Sequence, residues 1–97
     1  MALIDELRTI LRIGETQTAF DSEIHPLIDA AKADLKLSGV SEAKTEDEED
    51  PLIKRAITIY VKAHFGWDNP DAERLQQSYD MLKMHLTLSQ EYTGDAS

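Results

Sequence analysis

Apolar residues recur at helical spacing in four stretches of this chain. In the first, Leu3, Ile4, Leu7, Ile10 and Leu11 fall on one side and Asp5, Arg8, Thr9 and Arg12 on the other, which predicts a short helix with one buried face. The second runs from about Ser22 to Leu37. It aligns Phe20, Ile24, Leu27, Ile28, Ala31 and Leu35, turns Asp29, Lys32 and Lys36 to solvent, and offers small Ala30, Ala31 and Ala33 for close helix approach. The third, Leu52 to Phe65, is apolar around most of its circumference and leaves Lys54, Arg55, Thr58 and Lys62 as a narrow basic stripe. Its β-branched residues favour a strand. Its polar positions recur at three and four rather than two, however, and this predicts a central helix. In the fourth, Pro70 to about Gln90, Leu75, Tyr79, Leu82 and Leu86 form one stripe and Met81, Met84, Leu88 and Tyr92 another on roughly the opposite side. A helix with two apolar faces needs two neighbours. Either a small bundle wraps both faces or the chain end frays, or the second face is kept for another subunit, with adaptable methionines at the contact.

Glycines and prolines punctuate these stretches. Gly14, Gly39, Gly66 and Gly94 each follow an amphipathic run, and Pro51 and Pro70 each follow a residue able to cap, Asp50 and Asn69. Pro26 belongs to a first turn if Ser22 is the cap, and kinks the helix if it starts at Thr18. The junction Phe65-Gly66-Trp67-Asp68-Asn69-Pro70 reads as a stop and a restart. Gly66 closes one helix, Asn69 caps the next, Pro70 fits its first turn, and Trp67, the single tryptophan, seals the corner, so Gly66, Trp67, Asn69 and Pro70 are the expected hinge. The expected fold is all-α: about four helices in one domain spanning residues 1–97, with 38–50 a mobile acidic loop between the second and third helices and 93–97 a flexible tail.

Charge and missing chemistry narrow the function. Nineteen acidic against ten basic residues give a net charge of -9, which opposes adhesion to nucleic acid, because duplex affinity comes largely from Lys and Arg on phosphates. With no cysteine, disulfides, thiolate metal sites and cysteine nucleophiles are excluded. No basic start with an apolar run marks a signal peptide, and no stretch is long enough to span a bilayer. His25, His64 and His85 share no ligand spacing, and the run Glu46-Asp47-Glu48-Glu49-Asp50 lacks the central glycine of a calcium loop. No phosphate-cradling glycine loop or nucleophile elbow is present. The chain is expected to be a non-enzyme without metal or cofactor.

Several segments together carry a resemblance. Asp50-Pro51-Leu52-Ile53-Lys54, Tyr60-Val61-Lys62-Ala63 and Gly66-Trp67-Asp68-Asn69-Pro70, followed by Arg74, Tyr79 and Leu82, resemble the head-to-tail connector (adaptor) proteins of long-tailed bacteriophages and prophages, often labelled DNA-packaging proteins. Phe20-Asp21-Ser22-Glu23-Ile24 and Leu27-Ile28-Asp29-Ala30-Ala31-Lys32-Ala33-Asp34-Leu35 look like that family's earlier helix. The resemblance implies a virion structural protein of the neck, made in the host cytoplasm. It implies a ring of about twelve copies that joins the portal to a tail-completion or stopper protein and lets DNA pass without specific binding or any membrane. On this reading Tyr79, Met81, Met84, Leu88 and Tyr92 are candidates for subunit contacts. Glu46, Asp47, Glu48 and Glu49 are candidates for lining the channel, against the plainer reading of a solvated loop whose last acids favour the next helix N-terminus. Lys54, Arg55 and Lys62 then face the acidic loop of the adjacent subunit.

Two other readings compete: a small acidic helical regulator with a helix-turn-helix, against which the charge argues, and an interaction module that takes a partner helix in a groove.

Overall fold

The computed structural model describes residues 3–11, 21–65 and 69–93. Six helices follow in chain order: α1 (Leu3–Ile10), α2 (Asp21–Ser38), α3 (Glu42–Thr45), α4 (Pro51–His64), α5 (Ala72–Thr87) and α6 (Gln90–Thr93). No strand occurs among the described residues. The all-α expectation holds, with two short helices, α3 and α6, beyond the four that the periodicity shows. Each of these is a single turn of four residues, too short to imprint an apolar period.

Helix α4 forms the centre because it is apolar on most sides. Its Ile53, Ala56, Ile57 and Val61 are fully buried and join one core with Leu3 and Leu7 of α1, Ile24, Ile28, Ala31 and Leu35 of α2, and Tyr79 and Leu86 of α5. Full burial of one such aliphatic side chain is worth about 1.5–3 kcal/mol, so this set is what folds the chain. The start of α4 follows the sequence. Pro51 sits at its first position, where no donor is missed, and one Asp50 carboxylate oxygen accepts from the backbone N–H of Leu52 at 3.0 Å and Ile53 at 3.2 Å.

The end of α2 is set by Gly39, whose φ of +118° lies where a side chain is strained. The Gly39 N–H donates to the Lys36 carbonyl and the Val40 N–H to the Leu35 carbonyl, the paired reversal that closes many helices, with buried Val40 resting in the same core as Leu35. At the other end, Ser22 already lies inside α2 and Pro26 is an exposed interior residue. Ser22 is therefore not the cap, and Thr18 lies outside the described residues.

The connection 38–50 is more than a loop. Ser41 caps α3 by accepting from the Lys44 N–H at 3.2 Å, and the Thr45 hydroxyl donates to the Ser41 carbonyl at 2.8 Å. Val40 and Thr45 are buried, anchors that a segment of high average polarity conceals. Helix α6 closes over it. The Ser41 N–H donates to the Tyr92 carbonyl at 2.8 Å, and the Tyr92 hydroxyl donates to both Asp50 oxygens at 3.0 and 3.1 Å. Both ends of the acidic segment are thus tied to one C-terminal tyrosine.

Between α4 and α5, Asn69 plays a different part from the expected cap. Helix α5 begins at Ala72, preceded by Asp71, whose side chain makes no cap bond. The Asn69 amide donates to the Lys62 carbonyl in the last turn of α4 at 2.6 Å, while its side-chain oxygen accepts from the Asp71 N–H at 3.0 Å. Asn69 therefore clips the end of α4 to the entry of α5, with Pro70 in the turn before it. Gly66 and Trp67, the other expected hinge residues, lie outside the described residues.

Candidate interaction surface

Met81, Met84 and Leu88 stand on the outer side of α5, 63%, 62% and 79% exposed. Their spacing of three and four puts them on one stripe. Exposed methionines and leucine grouped on one helix face mark a surface suited to a protein partner. Sequence reading missed a fourth residue, Leu37, which is 88% exposed at the end of α2. The signal was present, since Leu37 lies two residues beyond buried Leu35 and so on the opposite side of the helix. Ser38, next to it, shares a cleft with Met84, Lys83 and Thr87, so the end of α2 adjoins the methionine face.

The two tyrosines proposed for that face point inward. Tyr79 is fully buried, its ring edge-on to Tyr60 at 5.1 Å between centroids. Its hydroxyl donates to Asp34 at 2.6 Å, beside the Lys83 ammonium at 2.9 Å from the same oxygen. Burial pushes the Asp34 carboxyl up, but the hydrogen bonds from Tyr79 and Lys83 outweigh it, and its pKa lies below the ordinary value. Burial and the adjacent Asp34 push the Tyr79 hydroxyl far up, so it stays a proton donor. Tyr92 belongs to α6, not to α5, so the stripe drawn through it crosses a helix break. It is buried over Asp50 with the Lys44 ammonium 5.1 Å from its ring centre. Burial and the Asp50 carboxylate raise its pKa to about 12.

The acidic run divides into committed and open carboxylates. Glu46 bonds Lys32 at 3.1 Å and Lys36 at 2.8 Å, and Glu48 bonds Lys32 at 2.9 Å. The Lys36 and Lys32 ammonium groups lower the Glu46 pKa. Burial works against the Lys32 charge, yet Glu48 and Glu46 more than offset it and raise the Lys32 pKa. Asp47 accepts from the Glu49 N–H at 3.1 Å. Burial likewise raises Asp50, but the Ile53 N–H, the Tyr92 hydroxyl and the Leu52 N–H hold it below its ordinary value. Of the four expected channel-lining residues, Asp47 and Glu49 are the exposed pair outside these bridges.

The basic stripe of α4 lines a separate cleft of about 490 Å³ along the α4–α5 boundary. Lys54, Arg55 and Lys62 line it with Arg74 of α5, over a floor that includes Ile10, Ile59 and Leu75. Lys54 meets Glu6 of α1 at 3.3 Å and Arg74 meets Asp71 at 3.5 Å. Arg55 and Lys62 have no ion-pair partner among the described residues. His64, on the same helix, is hydrogen-bonded to Gln76 at 2.9 Å. Among the described residues no cluster of His, Cys, Asp and Glu is placed to hold a metal ion, and no helix is long and apolar enough to cross a membrane.

A family model described as phage connector protein matches residues 3–93, from the first residue of α1 to the last of α6. Neither a curated protein nor a solved structure matches the chain.

Proposed function

This chain belongs to the phage connector protein family, structural components of the phage neck, and from that premise we propose that it forms a closed ring of identical subunits between portal and tail, continuing the DNA channel. The exposed stripe of Met81, Met84 and Leu88 supports this reading. In a ring each subunit uses two different surfaces, one to give and one to receive, and this stripe is the apolar surface that α5 leaves uncovered. Burying it supplies most of the assembly energy, because exposed ion pairs contribute less than about 1 kcal/mol each. Following the resemblance, the ring holds about twelve copies, and a tail-completion or stopper protein docks on its far side.

The charge fits a conduit that does not grip its cargo. At -9 per subunit, a ring repels the phosphate backbone and leaves it hydrated. Asp47 and Glu49, exposed and outside the lysine bridges, are the carboxylates of the acidic run best placed to face such a passage. The experiment is a mass measurement of the purified protein, alone and mixed with portal protein. The proposal expects a closed multi-subunit particle in at least one of the two conditions. Particles that never exceed a dimer in either one overturn it.

A further inference from the structure

We propose that the cleft between α4 and α5 is a docking site for an acidic amphipathic helix of a different protein. Three observations lead there. The chain carries almost twice as many acidic as basic residues, yet Arg55 and Lys62 have no ion-pair partner among the described residues and line the same cleft. Between them the floor is apolar, with Ile10, Ile59 and Leu75 partly exposed. A groove with an apolar floor and unpaired cations on its walls fits an amphipathic helix that brings carboxylates.

The acidic run of a second copy fits the cleft less well than a foreign helix. Glu46 and Glu48 are held by Lys32 and Lys36 of their own chain, and Asp50 is held by the start of α4 and by Tyr92. Moving these groups into a neighbour's cleft would break the ion pairs to α2 and the cap of α4, and the two open carboxylates, Asp47 and Glu49, are two positions apart and span at most about 7 Å, short of the about 10 Å that separates Arg55 from Lys62. On these grounds a foreign partner is favoured over the adjacent subunit's acidic loop, and a self-contact is one outcome of the test. The overall charge of -9 disfavours nucleic acid there. Arg55 and Lys62 lie seven residues apart on α4, about 10 Å along its axis, so a partner helix with acidic residues at i and i+7 and leucines between them matches the groove.

The test uses a designed peptide of about four helical turns, with Glu at i and i+7 and Leu at i+3 and i+4, titrated into the isotope-labelled protein and followed by NMR. Saturable shifts centred on Arg55, Ile59, Lys62 and Leu75 are expected. The affinity should fall about tenfold or more in R55E/K62E, and to a lesser degree in R55Q/K62Q, which introduces no repulsion. The same peptide with Lys for Glu should not bind. The proposal is overturned if no saturable shift appears, if the Glu and Lys peptides bind alike, or if the variants bind as the parent does. It also falls if short duplex DNA takes the same residues more tightly than the peptide. Concentration-dependent shifts of the protein alone at these residues, abolished by R55E/K62E, would make the cleft a self-contact and overturn it too. The readout is independent of ring formation, so its failure leaves the ring proposal standing.

Discussion

Tyr79 on α5 donates its hydroxyl hydrogen to Asp34 on α2 at 2.6 Å, across 45 positions of sequence. Lys83, one turn further along α5, bonds the same carboxylate oxygen at 2.9 Å and sets its ammonium 5.2 Å from the Tyr79 ring centre. One carboxylate thus locks two helices by a phenol and an ammonium, with the phenol ring in the core. Tyr79→Phe should keep the packing and cost about 1–2 kcal/mol, because a charged acceptor loses one donor but keeps the other. Tyr79→Ala also leaves a cavity and should cost about 3–5 kcal/mol. Urea unfolding followed by circular dichroism measures both.

Acid should unfold the protein through specific carboxylates. Asp34, Glu46 and Asp50 all have lowered pKa values in the fold. The unfolded chain therefore binds more protons, and the stability these groups contribute is fully present above their unfolded values near about 4. It is lost as the pH falls through the lower folded values. The expected stability curve is flat through neutral pH and falls below about pH 4. Asp34→Asn should make that acid limb shallower while lowering the plateau. An unchanged limb would mean that Asp34 carries no such linkage.

Asp50 has two tasks, capping α4 and receiving the Tyr92 hydroxyl. Asp50→Ala removes the cap and strands a buried hydroxyl, for an expected loss of about 2–3 kcal/mol. Asp50→Asn retains a capping oxygen and should lose less. Amide exchange of the Ser41 and Leu52 N–H groups reads the two ends separately, and both should speed up in the alanine variant.

Gly39 has open space where a Cβ would sit, so any penalty there is conformational rather than steric. Gly39→Ala should cost about 1–2 kcal/mol from its positive φ, seen as a lower urea midpoint with an unchanged slope. No change would mean that the α2 terminus relaxes freely.

Met84→Glu combined with Leu88→Glu touches only exposed positions and should leave the fold within about 0.5 kcal/mol of the parent. Assembly should be lost in the mass measurement. A full-sized particle from this variant would remove the methionine face from the ring contact.

The candidate surface was only partly legible in the chain. Met81 and Met84 were found because they share a period within α5, and Leu88, the residue that caps its end, still follows that period. Tyr92 was drawn onto their stripe because nothing in the apolar pattern marks the end of α5 at Thr87. Once that helix ends, angular bookkeeping no longer applies. Tyr79 satisfied the inward stripe and, as a tyrosine, also suited an interface. Asp34, which decides the matter, lies on another helix and leaves no local trace. Asn69 was read as a cap from its place before Pro70; its side-chain oxygen does accept from the Asp71 N–H at the entry of α5, and its amide also reaches the Lys62 carbonyl at the end of the preceding helix, which no local pattern marks.

Local physics, acting over one or two turns, set what could be read directly from the chain: four amphipathic helices, the stop at Gly39, the Asp50-Pro51 start of α4, and a charge that repels nucleic acid. Tertiary packing decided which carboxylates are spent and which cations are left over. It tied Glu46 and Glu48 to lysines of α2, drew Tyr92 back onto Asp50, and left Arg55 and Lys62 without ion-pair partners among the described residues, beside an apolar floor. Those pairings join residues far apart in sequence, and only the packing of helices around α4 brings their atoms within bonding distance.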